Sequence, residues 1–309
     1  MAVKIFSGSA TTYLAEKIAD AYGEPLGKVN YQHFSDGEMS PYISESVRGH
    51  DIFLVQSTFA PADNLLELML MIDAARRASA ENVNIIIPYF GYARQDRKDK
   101  PRVAIAAKLI ANLISAAGAD RIMTCDLHAD QIQGFFDIPV DHLDGNYIFV
   151  PYLKSLGLKN IMFASPDVGG IKRARSFAKF FNADLAVCDK HRTEANKVES
   201  MRLIGEVEGK DVILVDDLVD TAGTICRAAA LLKDKGANSV RAVCTHPVLS
   251  GNAYENIEKS GLLEMAVTDT IPLKGHSPKI KVLTVSDLFA KAIRKIHDHE
   301  SISSLFIRL

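Results

Sequence analysis

Two neighbouring carboxylates at the end of an apolar run carry the most evident chemistry in this sequence. The run at 212–215 leads into Asp216 and Asp217, and the polar segment Asp220–Thr224 follows. Backbone N–H groups at the start of a helix form an anion site, and Gly223 would let the backbone approach a phosphate closely. Carboxylates accept hydrogen bonds from sugar hydroxyls or hold a cation. The combination predicts a site for a phosphorylated sugar such as ribose 5-phosphate, and an ordinary capped helix with solvated acids is the alternative.

A second turn of this kind lies at 165–170 and contains Asp167, Gly169 and Gly170. The paired glycines can present backbone N–H groups to a diphosphate, and Asp167 could hold Mg²⁺ directly or through water. A plain turn before a helix explains the same pattern equally well.

Further polar segments contain residue types that are suited to phosphate, base or metal contacts. They are 34–38, 89–100, 126–137 and 189–192. Each segment also has a plain structural interpretation. These are, in the same order, a turn, a solvated charged loop, a structural histidine after a strand, and a solvated strand end.

The elements that must position these residues follow from an alternation of apolar runs with helix-period segments. Strands are predicted at Val3–Phe6, Ile52–Val55, Val83–Ile87, Arg121–Thr124, Ile161–Ala164, Leu185–Cys188, Val212–Val215, Val240–Cys244 and Met265–Thr268, and helices at Asn64–Ser79, Ala104–Ala117, Ile171–Phe181, Thr224–Lys235 and Ala253–Ser260. This alternation predicts an α/β fold with largely parallel sheets covered on both faces. Ligands bind such sheets at the carboxyl ends of the strands, where the polar segments fall.

Length and composition limit the classes of function. A chain of 309 residues suggests two domains, and the region 144–151 is a plausible join. The formal net charge of −2 gives no basic field that would favour nucleic acid or an anionic membrane. The four cysteines form no C-x-x-C pair and predict buried, reduced thiols. No secretory segment or apolar run of membrane-spanning length is visible, so a cytoplasmic location is expected.

The segments at 126–137 and 212–224 resemble the class I ribose-phosphate diphosphokinases, and the resemblance runs from about residue 6 to residue 303. It implies two phosphoribosyltransferase-like domains, each a mainly parallel sheet flanked by helices. An N-terminal ATP-binding and assembly domain would span 1–145, with a tail at about 288–309 packed on it, and a catalytic domain would span 146–287. The implied reaction moves the diphosphoryl group of ATP to ribose 5-phosphate with Mg²⁺. The family also suggests a homohexamer.

The resemblance implies a role for each matching residue. ATP would be bound by Phe34, Asp36, Glu38, Arg94, Gln95, Asp99 and His128; ribose 5-phosphate by Asp216, Asp217, Asp220, Thr221, Ala222, Gly223 and Thr224; the diphosphate by Asp167, Gly169 and Gly170; and Mg²⁺ by His128 and Asp167. Lys190 and Arg192 would be catalytic, and the stretch 193–200 after them would be a mobile flap. A regulatory anion would lie near Ser46, Arg48, Ser301 and Ser303.

Two departures and two alternatives stay open at this point. Val168 stands where the family often has His or Ala, and Asp130 stands where some relatives have a small neutral residue. By analogy Asp130 would lie near the regulatory anion, and a carboxylate there is unfavourable unless an arginine offsets it. A phosphoribosyltransferase would share the two phosphate loops but would not need the segments at 34–38 and 126–137. A catalytically silent paralogue that regulates a synthase is the other alternative. A Rossmann dehydrogenase is disfavoured because no G-x-G-x-x-G follows the first strand.

Overall fold

The structure is a computed structural model that describes residues 2–191 and 200–306. The chain divides into two compact units. The N-terminal unit comprises Met1–Gly145 together with Val285–Phe306, and the C-terminal unit comprises Asn146–Thr284.

The elements are numbered in chain order. The strands are β1 Val3–Ser7, β2 Val29–His33, β3 Met39–Ile43, β4 Asp51–Val55, β5 Asn82–Ile87, β6 Arg121–Cys125, β7 Val140–Leu143, β8 Ile161–Ser165, β9 Leu185–His191, β10 Ser200–Ile204, β11 Asp211–Val219, β12 Ser239–Pro247, β13 Glu264–Thr268 and β14 Ile280–Leu283. The α-helices are α1 Thr12–Tyr22, α2 Asp63–Arg77, α3 Ala106–Ala117, α4 Asn146–Ser155, α5 Ile171–Phe181, α6 Gly223–Asp234, α7 Ala253–Lys259 and α8 Ser286–His297.

A parallel sheet of five strands, in the order β1-β4-β5-β6-β7, forms the centre of the N-terminal unit. In β5 the successive residues Ile85, Ile86 and Ile87 are all fully buried, because both faces of the sheet are covered. Helix α8 packs against α1, so the C-terminal tail is part of this unit.

A separate antiparallel hairpin, β2–β3, belongs to the same unit. Most of its side chains are at least partly exposed, and Tyr31 lies opposite Pro41 in the ladder. The Tyr31 hydroxyl donates a hydrogen bond to the carbonyl of Ser7 at the end of β1, with an O···O distance of 2.6 Å. This bond connects the hairpin to the central sheet.

A seven-stranded sheet, in the order β10-β9-β8-β11-β12-β13-β14, forms the centre of the C-terminal unit. All neighbours are parallel except β10, which pairs antiparallel with β9. Helix α6 buries Ile225, Ala228, Ala229 and Leu232, which is the apolar face that the spacing i, i+3, i+4, i+7 predicts.

The predicted strands and helices are all present, with ends that differ by a few residues, and the predicted α/β fold is confirmed. Within the described ranges, no helix has the length and apolar character needed to cross a membrane.

Candidate functional site

The two predicted phosphate turns lie side by side because the strands that precede them are neighbours in the sheet. Strand β8 pairs in parallel with β11, and Ala164, next to the end of β8, lies opposite Leu214, two residues before Asp216 in β11. The turn at 165–170 and the carboxylates that follow Val215 therefore lie towards the same edge of the sheet, where ligands bind such folds.

Asp216 and Asp217 occupy the last part of β11 and are held differently. Asp217 is 5% exposed, and its carboxylate accepts a hydrogen bond at 3.0 Å from Arg173, on α5. The backbone N–H of Asp217 donates to Oδ1 of Asp216 at 2.9 Å. Burial raises the pKa of Asp216 well above its ordinary value; the charges of Asp217 and Asp167 raise it further, and Arg173 lowers it. The pair therefore concentrates negative charge that one arginine only partly offsets.

The loop after β11 has a left-handed residue at Ala222, where φ is +61° and ψ is +4°. Helix α6 begins at Gly223, and the N–H of Cys226 donates to the carbonyl of Ala222 at 3.0 Å. The first N–H groups of a helix have no partner within it, so this end suits an anion. A Cβ on Gly223 would meet only the Thr221 hydroxyl, at 3.7 Å. Internal packing therefore does not require glycine here, and the open space suits the approach of a ligand.

The turn at 165–170 is closed by its own hydrogen bonds. The Ser165 hydroxyl donates to the carbonyl of Asp167 at 2.6 Å, and the N–H of Gly170 donates to Oδ1 of Asp167 at 3.0 Å. A Cβ on Gly170 would approach the Ser165 hydroxyl to 2.7 Å, whereas one on Gly169 would meet only the Asp167 carboxylate, at 3.3 Å. The two glycines thus differ: the packing requires Gly170, and Gly169 lies exposed on the outside of the turn.

Lys190, one of the two predicted catalytic residues, lies near the end of β9, which pairs with β8. The backbone of Lys190 pairs with Met201 of β10, so its strand position is defined, but its side chain is not among those that the structure describes. Arg192 and residues 193–199 of the predicted flap lie outside the described residues, and the last residue of that stretch, Ser200, begins β10.

In the N-terminal unit, Phe34, Asp36 and Glu38 form the tip of the β2–β3 hairpin. The N–H of Phe34 donates to the carbonyl of Glu38 at 2.8 Å, and Asp36 accepts from the N–H of Glu38 at 3.1 Å. The turn includes Gly37 at a φ of +96°. The ring of Phe34 is 51% exposed, which leaves a large apolar surface available for contact with a ligand.

The segments that contain Arg94 and His128 are connected within the N-terminal unit. Gln131, in a short 3₁₀ helix at Asp130–Phe135, donates to Asp96 at 3.0 Å. Arg94, Gln95 and Asp99 are exposed in the loop, and His128 is exposed just after β6.

The partly buried imidazole of His142 stabilises the turn before His128. Asp126 is 8% exposed and has a φ of +50°, and the N–H of Leu127 donates to Nε2 of His142 at 2.8 Å. Nε2 of His142 is the acceptor in this contact, so the imidazole has a structural role in holding the turn.

The predicted metal and regulatory residues have separate surroundings. His128 belongs to the N-terminal unit and Asp167 to the C-terminal unit. Over the part of the chain that the structure describes, no group of three or more His, Cys, Asp and Glu side chains is arranged as a metal site. Of the regulatory set, Ser46 is exposed, Arg48 donates to Ser79 at 3.1 Å, and the hydroxyl of Ser301 donates to that of Ser303 at 2.8 Å.

One functional candidate was not predicted from the sequence. Arg173 contacts Asp217 and acts electrostatically on Asp216, so it is part of the carboxylate site. Its position three residues after Gly170, at the start of a predicted helix, was the available signal, because the first turn of that helix faces the edge of the sheet.

Comparison with known proteins identifies relatives along almost the whole chain. Residues 3–118 match the N-terminal domain of ribose phosphate pyrophosphokinase, and residues 192–307 match the phosphoribosyl synthetase-associated domain. The ribose-phosphate pyrophosphokinase of Porphyromonas gingivalis is 56% identical over 303 residues, 98% of this chain and 97% of that protein. That of Wolinella succinogenes is 58% identical over 305 residues, 98% of this chain and 99% of that protein.

A solved structure agrees with these relatives in fold. The crystal structure of phosphoribosylpyrophosphate synthetase from Mycobacterium smegmatis is 38% identical to this chain and superposes with a TM-score of 0.91. The match covers 97% of this chain and 100% of that one.

Proposed function

Because the chain belongs to the ribose-phosphate pyrophosphokinase family, we propose that it transfers the diphosphoryl group of ATP to the 1-hydroxyl of ribose 5-phosphate. The products are phosphoribosyl pyrophosphate, which serves nucleotide biosynthesis, and AMP. The observation that carries the proposal is the pairing of Asp216 and Asp217 with the anion loop Asp220–Thr224 at one edge of one sheet.

The C-terminal unit would bind the sugar phosphate. Asp216 and Asp217 would accept hydrogen bonds from the ribose hydroxyls, and the N–H groups of 220–224 would hold the 5-phosphate. The open space at Gly223 and the left-handed Ala222 support this assignment. The turn with Asp167, Gly169 and Gly170 would bind the transferred diphosphoryl group.

The N-terminal unit would bind ATP. The exposed ring of Phe34 would stack on the adenine, and Asp36 and Glu38 would accept from its edge. Arg94, Gln95 and Asp99 would line the phosphates, which suits the guanidinium fork of Arg94.

In the reaction the 1-hydroxyl oxygen bonds to the β-phosphorus, the bond from that phosphorus to the α,β-bridging oxygen breaks, AMP leaves, and the hydroxyl proton is released. Charge on the phosphoryl oxygens must be neutralised as this happens, so positioning and electrostatics should supply most of the rate. Lys190 and Arg192 would supply positive charge to the β-phosphoryl group.

The carboxylate edge fits Mg²⁺, a cation that prefers oxygen ligands. The observation that supports the fit is the raised pKa of Asp216, because a divalent cation would offset the charge that Asp216, Asp217 and Asp167 concentrate there. When bound with the substrates, Mg²⁺ would neutralise phosphate charge. Asp167 would hold it directly or through water, and His128 would contact it or a phosphate.

The remaining parts of the proposal follow the family. We expect a cytoplasmic homohexamer in which Phe34 and its hairpin reach a neighbouring subunit, with no nucleic acid or membrane as partner. We also expect a regulatory anion near Ser46, Arg48, Ser301 and Ser303.

The test is a ³¹P NMR time course of the purified chain with ATP, ribose 5-phosphate and Mg²⁺, with and without inorganic phosphate, and with an EDTA arm. Equal growth of AMP and a sugar 1-diphosphate, lost with EDTA, is the expected result. Growth of ADP would mean a simple kinase. No change in any arm would refute the proposal and favour a silent regulatory partner, whereas phosphoribosyl pyrophosphate consumption that requires a nucleobase would indicate a transferase.

A further inference from the structure

Three successive carbonyl groups, from the end of β11 into the Asp220–Thr224 loop, accept hydrogen bonds from the segment 249–256 of the C-terminal unit. The N–H of Leu249 donates to the carbonyl of Val219, and the N–H of Ser250 donates to that of Asp220, both at 3.0 Å. Nδ2 of Asn256 donates to the carbonyl of Thr221, also at 3.0 Å.

Side-chain contacts add to this arrangement. The Ser250 hydroxyl also donates to the carboxylate of Asp220, so Ser250 binds both the backbone and the side chain of that residue. Asn256 lies on α7, where Ala253 and Ile257 are fully buried, so it extends from a packed helix.

These bonds set the direction of the loop's N–H groups. In a planar trans peptide the C=O and the following N–H point in opposite directions. Because the carbonyls of 219, 220 and 221 are directed towards Leu249, Ser250 and Asn256 respectively, the N–H groups of Asp220, Thr221 and Ala222 are directed away from that segment. A loop with its N–H groups aligned on the opposite side is an arrangement that holds a phosphate monoester.

The loop also contains a backbone conformation that needs support. Ala222 has a φ of +61°, in the left-handed region, which a residue with a side chain adopts at a penalty of about 1 kcal/mol or more. The fixed carbonyl of Thr221 directly precedes this residue. The hydrogen bonds from Ser250 and Asn256 would offset the strain and keep the loop ready for its ligand.

We propose that Ser250 and Asn256 are positioning residues that preorganise the Asp220–Thr224 loop for the 5-phosphate of ribose 5-phosphate. The proposal rests on the function proposed above. Each would act through the loop: Asn256 through the carbonyl of Thr221, and Ser250 through the carbonyl and the carboxylate of Asp220. Removal of the Asn256 bond or of the Ser250 hydroxyl bond lets the loop sample other orientations, which should weaken the ground-state binding of the sugar phosphate.

The test compares Ser250→Ala and Asn256→Ala with wild type in steady-state kinetics, varying each substrate separately. We expect the KM for ribose 5-phosphate to rise about tenfold or more in Asn256→Ala, a change of about 1.4 kcal/mol, with the KM for ATP within about twofold. In Ser250→Ala the rise should be smaller, because this variant loses only the hydroxyl bond to the Asp220 carboxylate and keeps the backbone N–H bond to the Asp220 carbonyl. Ser250→Thr keeps the hydroxyl and should restore most of the affinity. Ser260→Ala is the control, because Ser260 donates at 2.6 Å to the carbonyl of Ile257 at the other end of α7. It should lower stability without changing the KM for ribose 5-phosphate.

The outcomes separate this proposal from the function on which it rests. If wild type makes phosphoribosyl pyrophosphate but both alanine variants keep the wild-type KM for ribose 5-phosphate, the positioning role is wrong and the function stands. If wild type makes no product, the proposed function fails, and calorimetric titration with ribose 5-phosphate decides the positioning role by the same tenfold criterion. Should Ser250→Ala not fold, Asn256→Ala decides, because its contact with Thr221 is exposed.

Discussion

The raised pKa of Asp216 predicts that this residue lowers the stability of the free protein. Asp216→Asn removes a charge that burial and the neighbouring carboxylates disfavour. The amide oxygen of asparagine can still accept the hydrogen bond that Asp216 accepts at 2.9 Å from the N–H of Asp217. The substitution therefore changes the charge and preserves the local contact, so we expect a more stable but inactive protein.

The sign and size follow from linkage. Because the pKa of Asp216 is raised above its ordinary 3.8, the folded state holds the proton more tightly than the unfolded state. The loss of folding free energy caused by the charged Asp216 is absent below the ordinary pKa, grows as pH rises towards the folded-state pKa, and is complete above it. Each unit of the raise corresponds to about 1.4 kcal/mol. For a chain of this size, 1 kcal/mol shifts Tm by about 2–4 °C.

Asp217→Asn is the matched comparison. Both substitutions remove the same repulsion between the two carboxylates, so that contribution cancels between them. Asp217→Asn also loses the charged hydrogen bond with Arg173, at 3.0 Å and largely buried. Such bonds contribute about 1.5–3 kcal/mol. Asp217→Asn should therefore unfold at a Tm lower than that of Asp216→Asn by at least about 3 °C.

The assay is thermal unfolding of the ligand-free proteins, followed by circular dichroism at pH 4 and pH 7.5. Asp216→Asn should match wild type near pH 4 and exceed it at pH 7.5, and both variants should lose most of their synthase activity. An Asp216→Asn protein no more stable than wild type at pH 7.5, or one less stable than Asp217→Asn, would refute the reasoning.

Three further predictions concern binding and catalysis. Gly223→Ala should leave Tm unchanged, because the new Cβ would have room, but it should raise the KM for ribose 5-phosphate about tenfold. Gly170→Ala should lower Tm, because its Cβ would lie 2.7 Å from the Ser165 hydroxyl. An equal loss of Tm in the two variants would contradict this distinction. Phe34→Ala should raise the KM for ATP without a change in Tm. Tyr42→Ala is the control at a similarly exposed ring of the same hairpin, and it should change neither the KM for ATP nor Tm. The same KM for ATP in the two variants would show that Phe34 is not part of the ATP site. Lys190→Ala should lower kcat by orders of magnitude with little change in either KM, measured by AMP release, and unchanged turnover would exclude it from the mechanism.

The elements of the α/β fold were predictable wherever a strand is a continuous run of buried apolar residues or a helix has one apolar face. Strand β11 and helix α6 are examples, since the first is a run of buried Val, Ile and Leu and the second has a clear apolar face. Of the hairpin β2–β3, the sequence indicated only a strand-like run before Phe34, and the hairpin itself was expected from the resemblance. Periodicity did not bound its strands, because their residues are mostly exposed or half-buried and give no alternating apolar pattern. Helix α8 was missed although its buried Leu288, Phe289 and Ile293 follow helical spacing, so the pattern was available in the sequence.

The candidate site was predictable only as far as strand ends determine it. The parallel order of β8 and β11 brings the Asp167 turn to Asp216, as the carboxyl-end rule predicts. The ion pair of Arg173 with Asp217 and the bond from Asn256 to the loop depend on contacts between residues 44 and 35 positions apart, which no local pattern encodes. The left-handed residue is Ala222 rather than the glycine beside it, because the loop's tertiary hydrogen bonds override the local preference for glycine.

Pro41 determines how the β2–β3 hairpin can meet another chain. Hydrogen bonds join Lys28 to Ser44 and Phe34 to Glu38, so the alternation places Pro41 and Tyr31 at a position without hydrogen bonds between the strands. The nitrogen of Pro41 therefore faces the outer edge of β3, and the edge lacks a donor at the middle of the strand. A further strand could not add there without losing a rung of the ladder. The β3 edge is thereby protected against edge-to-edge aggregation, and a neighbouring subunit that meets this edge must do so through side chains rather than by extending the sheet.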